Sequence, residues 1–128
     1  MPESERDERH LPECKPIDGY GRGGFRFGDM SHRGSLLCLP SGTWAWAPRV
    51  PAEIDVTALD RVFAEAAKID MLILGTGTDL EPIGEALVWR LRDAAVRVEV
   101  MSTGAAIRTW NLLLGEGRRV AAGLLAVD

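Results

Sequence analysis

Lysine is nearly absent from this chain: Lys15 and Lys68 stand alone among the basic residues beside an abundance of arginine. Cysteine is as scarce. Cys14 and Cys38 are the whole complement, with no Cys-x-x-Cys pair and no His/Cys cluster. That spacing excludes the usual zinc frameworks, so no metal and no cofactor is expected. Cys38 lies in the apolar run Leu36-Leu37-Cys38-Leu39 and reads as a small buried hydrophobe. A reducing compartment is the default, with a Cys14–Cys38 disulfide as the minor alternative. Long apolar runs are missing too, and none reaches the length of a membrane span. The N-terminus has no apolar signal segment. Glu3, Glu5, Asp7, Glu8 and Glu13 fill it with acid, which also argues against a mitochondrial transit peptide. The expectation is a cytoplasmic protein that is not an integral membrane protein. Basic charge is not in excess either: the net charge is -4 and no basic stripe occurs, so nucleic acid is not expected as a partner.

What is present suits one α/β domain. At 128 residues, 46% of them hydrophobic, the chain can bury about two-thirds of the surface it exposes when unfolded. Residues 1–15 are charged and nearly free of apolar side chains, and read as a disordered acidic tail. Residues 16–128 read as a single domain. From Ile17 to Trp46 short alternating runs are separated by glycine turns, the pattern of an antiparallel meander. Trp44 and Trp46 share one side of it, to cover a core or meet a partner. Asp18 and Arg33 are placed to pair across the sheet. Beyond a proline-containing connection, a helix is expected from Thr57, with Leu59, Val62, Phe63 and Ala66 on its apolar face.

The organising stretch is Met71 to Thr109. The apolar run Met71–Leu74 breaks at Gly75-Thr76-Gly77-Thr78, and the run Val96–Met101 breaks at Ser102-Thr103-Gly104. Each break hands a strand over to a helix. The first helix is expected from Glu81-Pro82, because proline suits an initial helical position. The second follows Thr103 as N-cap and ends near Leu114, with Gly115 as its left-handed cap. Arg119–Val127 closes the chain as a central or well-covered strand. The order strand, helix, strand, helix, strand implies mainly parallel pairing.

Ligand sites in open α/β sheets lie beyond the carboxyl ends of strands. Thr76, Gly77 and Thr78 on one loop, Ser102, Thr103 and Gly104 on the other, and Arg108 one turn into the helix form a candidate anion site. The first loop lacks the third glycine of a dinucleotide fingerprint, where Leu80 stands, and the Gly-Lys-Ser/Thr ending of a P-loop. A plain tight turn and a helix cap are the competing readings. Asn111, within Trp110-Asn111-Leu112, needs hydrogen-bond partners if buried and reads as a tie between helix and loop. His32 has no serine elbow or cysteine nucleophile beside it and reads as structural. No catalytic residue is assigned.

Several segments together resemble one family. They are Ile17-Asp18-Gly19-Tyr20-Gly21, Gly24-Phe25-Arg26-Phe27, His32-Arg33-Gly34-Ser35, Leu74-Gly75-Thr76-Gly77, Met101-Ser102-Thr103-Gly104-Ala105-Ala106, Arg108-Thr109-Trp110-Asn111-Leu112-Leu113, and Glu116-Gly117-Arg118-Arg119-Val120-Ala121-Ala122. The match is to the Mth-like domain family of unknown function, which includes the mitochondrial complex I (NADH:ubiquinone oxidoreductase) assembly factor three. The resemblance implies a three-layer β/β/α fold with mixed sheets. It also implies a non-catalytic module that binds a protein partner, such as a subunit of an inner-membrane respiratory complex. An exposed apolar patch including Trp44 or Trp46 is then expected at the partner surface, and a homodimer stays open. The alternative is a small anionic ligand, with or without catalysis, between residues 75–78 and 102–104.

Overall fold

The computed structural model describes residues 9–11 and 14–128. The remainder of the expected acidic tail, residues 1–8, 12 and 13, lies outside the described residues. Within that stretch Arg9–Leu11 forms a strand, β1, paired with Thr43 and Trp44.

The glycine-punctuated first half does form antiparallel strands, but they divide between two sheets. β2 (Gly19–Gly21), β3 (Gly24–Phe27) and β4 (Met30–Arg33) make a three-stranded antiparallel sheet. At Gly34 the chain takes φ +97, a backbone conformation that side-chain-bearing residues rarely adopt. It then enters β5 (Ser35–Leu39) and β6 (Gly42–Trp46) of a second sheet. Asp18 and Arg33 end on different rows of the small sheet, since Arg33 pairs with Gly24 and Gly24 with Gly21. They form no ion pair.

The large sheet has the order β1-β6-β5-β9-β7-β8, where β7 is Met71–Gly75, β8 Arg97–Met101 and β9 Val120–Leu124. β9 runs parallel to β7 and antiparallel to β5, so the sheet is mixed. As expected for the closing apolar run, β9 is central and buried throughout.

Alternation along the large sheet builds two cores. Leu37, Leu72 and Leu74 face one way, toward Leu59 and Val62 beside and within α1 (Asp60–Ala64) and Leu87 and Leu91 of α2 (Glu85–Asp93). Leu36, Ile73 and Leu124 face the other way, toward Phe25 and Phe27 of the small sheet and Trp110 of α3 (Thr103–Gly115). The layers are therefore small sheet with α3, large sheet, then α1 with α2, which is the three-layer β/β/α arrangement. The chain moves outward from β7 to β8 and back over β7 to β9. Two crossovers of one hand in opposite directions place their helices on opposite faces.

Several boundaries differ from the sequence expectation. α1 begins at Asp60, because residues 55–59 form turns held by the Asp55 carboxylate, which accepts from the Ala58 N–H at 2.8 Å. α2 begins at Glu85 and not at Glu81-Pro82, with Gly84 as N-cap. The delay arises because the Thr76 hydroxyl accepts from the Glu81 N–H at 3.0 Å and keeps that segment in the loop. Ser102, not Thr103, is the N-cap of α3, accepting from the Ala105 N–H at 3.4 Å. At the other end Gly117, with φ +74, takes the left-handed position expected at Gly115.

Trp44 and Trp46 belong to the core and not to a partner surface: both are buried and both indoles are satisfied. Trp44 Nε1 donates to Ser41 Oγ at 3.1 Å and Trp46 Nε1 to the Ala58 carbonyl at 2.8 Å. The Trp46 ring occupies the space over Gly123, where an added Cβ would stand 2.6 Å from it. Among the described residues the exposed large apolar ones are Tyr20, Val50, Leu80, Trp89 and Leu112. Both cysteines are free thiols.

Candidate functional site

The helices that follow β7 and β8 leave on opposite faces of the sheet. The loops after these two strands therefore flank the crevice where open α/β sheets bind ligands. In this chain the crevice is laced shut. The Thr76 N–H donates to the Met101 carbonyl at 2.9 Å, and the Thr103 N–H to the Gly77 carbonyl at 2.8 Å. The Gly77 N–H returns a bond to Thr103 Oγ1 at 2.9 Å, and that hydroxyl donates to the Leu125 carbonyl at 2.7 Å. Thr76 Oγ1 donates to the Asp79 carbonyl at 2.7 Å. Gly75 is needed for this approach, because a Cβ there would come within 2.9 Å of Thr103 Cα.

The residues of the predicted anion site thus divide. Thr76, Gly77 and Thr103 are brought together, with Thr76 and Thr103 buried and both hydroxyls bonded to backbone. Ser102 serves as the helix cap. Gly104 lies under the Tyr20 hydroxyl. Arg108 is exposed nearby, with a terminal nitrogen 3.8 Å from where a Gly104 Cβ would stand, and forms no ion pair with a described residue. Thr78 lies apart, at a hollow of about 640 Å3 that it shares with Arg33, Arg49 and Asp128.

Other reactive side chains are held by the fold. His32 Nε2 contacts the Ser35 carbonyl at 2.9 Å, and the Cys14 thiol donates to the Leu39 carbonyl at 2.8 Å. Burial pushes the Cys38 thiol pKa well up, with Cys14 adding to the shift. Among the described residues no three His, Cys, Asp or Glu side chains cluster as metal ligands.

Reading loop motifs missed a second feature, the outer face of the small sheet. Phe25 and Phe27 point into the core, so Arg26 between them points out. The register then places Ser31 and Gly19 in the row of Arg26, and Arg33 in the row of Gly24 and Gly21. With Arg22 at the hairpin turn, three exposed arginines border a hollow of about 700 Å3. The signal was the alternation Phe25-Arg26-Phe27, together with hairpin register.

A family model described as a protein of unknown function, DUF498/DUF598, matches residues 17–125. The chain belongs to this family. Among curated relatives, an uncharacterised protein of Rhodobacter capsulatus is 41% identical over 110 residues, covering 86% of this chain and 83% of that protein. A Xenopus tropicalis protein named NADH dehydrogenase (ubiquinone) 1 alpha subcomplex assembly factor 3 is 28% identical over 120 residues. The match takes in 94% of this chain but only 66% of that assembly factor's length. The crystal structure of a protein described as an outer membrane protein of Bartonella henselae superposes with a TM-score of 0.89 at 46% identity, covering 93% of this chain and 100% of that one. A Mth938-like domain of Bordetella pertussis superposes with a TM-score of 0.75 at 27% identity, covering 87% and 85%. The Mth-like fold implied by the sequence segments is the fold of this chain. No helix among the described residues is long and apolar enough to cross a membrane.

Proposed function

We propose that this chain is a non-catalytic binding module that assists assembly of an inner-membrane respiratory complex, acting on a protein partner from the cytoplasmic side. The observation that carries the reading is the alignment of nearly the whole domain, 94% of the chain, with a protein named as a complex I assembly factor. The laced loops support it, because the Thr103 hydroxyl is spent on tying α3 to the loop after β7 and to the segment after β9, and the Thr76 hydroxyl on its own loop. The test is deletion of the gene in its host, followed by native-gel sizing of the NADH:ubiquinone oxidoreductase and assay of its activity in membranes. Loss of the full-sized complex, restored by the gene in trans, is expected. A full-sized, active complex in the deletion strain would falsify the reading.

A second reading is favoured by one observation, the exposed Arg108 beside the first turn of α3, which forms no ion pair with a described residue. A small anion would be held there by its guanidinium and by the Gly104 N–H, the Thr103 N–H being taken by the Gly77 carbonyl. Native mass spectrometry of the purified protein tests this: an adduct that disappears in Arg108→Ala supports it, and a bare chain mass rejects it.

A further inference from the structure

The outer face of β2, β3 and β4 is unusual in what it omits. Gly19 and Gly21 leave the outer side of β2 without side chains, and Gly24 does the same beside them on β3. At Gly24 an added Cβ would collide with the His32 carbonyl, so this close strand approach depends on glycine. The result is a trough floored by backbone and bordered by Arg22, Arg26 and Arg33. Among the described residues no aspartate or glutamate lines it, and none of the three arginines forms an ion pair with a described residue. They are concentrated on one small surface of a chain whose net charge is -4.

Arg22 adds an independent observation. Arg22 and Gly23, with φ 53 and φ 79, are the two central residues of the β2–β3 hairpin turn. Both central positions of such a turn need positive φ, which favours asparagine, aspartate or glycine. An arginine held there gives up backbone stability to place a guanidinium at the end of the trough.

We propose that this trough docks an acidic segment of a protein partner in extended form, its carboxylates gripped by Arg22, Arg26 and Arg33. The inference deepens the assembly reading by giving the partner's chemistry, and it rests on that reading for there being a partner. Guanidinium groups match carboxylates in planar, two-pronged geometry. The bare glycine rows admit a peptide backbone alongside the sheet. A bilayer is a poorer match, because the face is concave and, with Tyr20 as its one exposed aromatic, has no aliphatic side chain to insert. Nucleic acid is a poorer match because its dense charge would meet repulsion from the rest of an acidic protein.

The experiment uses the full chain and a fluorescein-labelled octapeptide alternating glutamate and serine, with a glutamine counterpart as control. Saturable anisotropy is expected for the glutamate peptide alone, weakening as salt rises. The double variant Arg26→Glu/Arg33→Glu should weaken it by about tenfold or more. Arg22→Asn should weaken binding while raising the melting temperature, a combination that a purely structural arginine would not produce. Circular dichroism melts confirm that each variant folds. The proposal is overturned if the glutamate peptide shows no saturable binding, or if the double variant binds it as well as the parent. It is overturned too if the arginines are needed only for flotation with phosphatidylglycerol vesicles or for binding single-stranded DNA. Complementation of the deletion strain separates the two readings. A double variant that restores the respiratory complex overturns the trough and leaves the assembly reading standing.

Discussion

Asn111 and Ile17 exchange two hydrogen bonds across 94 positions of chain. The Ile17 N–H donates to Asn111 Oδ1 at 2.8 Å, and Asn111 Nδ2 donates to the Ile17 carbonyl at 2.9 Å. A helix side chain thereby acts as a strand partner and fixes where the chain enters the small sheet. Asn111→Ala leaves both backbone groups without that partner and should cost about 2 kcal/mol in urea unfolding. Asn111→Asp keeps the acceptor but sets a carboxylate against the Ile17 carbonyl, and should be at least as damaging at neutral pH.

Thr103 is the knot of the loop lacing. Its fully buried hydroxyl accepts from Gly77 and donates to the Leu125 carbonyl. Thr103→Val keeps the shape and strands both partners, so a loss of about 2 kcal/mol is expected. Thr103→Ser keeps the hydroxyl and should lose about half as much, through the missing methyl. Equal losses in the two variants would show that the bonds do not matter.

Ala95 carries φ 62 at the end of α2, where the Val96 N–H reaches back to the Leu91 carbonyl at 2.9 Å and the Ala95 N–H to that of Arg92 at 2.9 Å. This is the left-handed helix ending usually occupied by glycine. Relief of the Cβ contact should make Ala95→Gly more stable by about 1 kcal/mol, visible as a higher melting temperature. Gly117→Ala at the end of α3 should move it the other way.

The buried Cys38 thiol makes stability fall in alkali. Its folded pKa is raised by burial, so above about pH 8.5 the unfolded chain loses a proton that the folded chain keeps. This contribution is fully present below that pH and declines as pH rises through the unfolded thiol's titration. Urea midpoints measured from neutral pH to about pH 10 should drop in the parent and drop less in Cys38→Ala.

The strand-helix-strand-helix-strand order from Met71 was legible because each apolar run ends in a glycine or hydroxyl break, and local chemistry sets such elements. The tie at Asn111 was legible for a related reason: an amide in an apolar helix segment needs partners wherever the helix goes. Boundaries set by distant bonds were not. Nothing near Pro82 reveals that the Thr76 hydroxyl will hold Glu81 back from α2. The division of the first half into two sheets at Gly34 was hidden because a glycine turn reads the same whether the next strand stays in its sheet or leaves it, although burial changes there from alternating in β3 and β4 to unbroken in β5. The loops at residues 75–78 and 102–104 lie at strand ends, but the partners of the Thr103 hydroxyl lie on other segments. For Thr103 the decisive acceptor is Leu125, beyond the last strand.

The central place of β9 has a consequence for synthesis. It is the strand that joins β5 and β6 on one side to β7 and β8 on the other, and it follows all of them in the chain. Until Val120–Leu124 leaves the ribosome, the two halves of the large sheet have no shared strand and the apolar faces of β5 and β7 stay uncovered. The nascent chain must therefore be kept from aggregating until that strand emerges, and the large sheet is expected to close in a single step once it does.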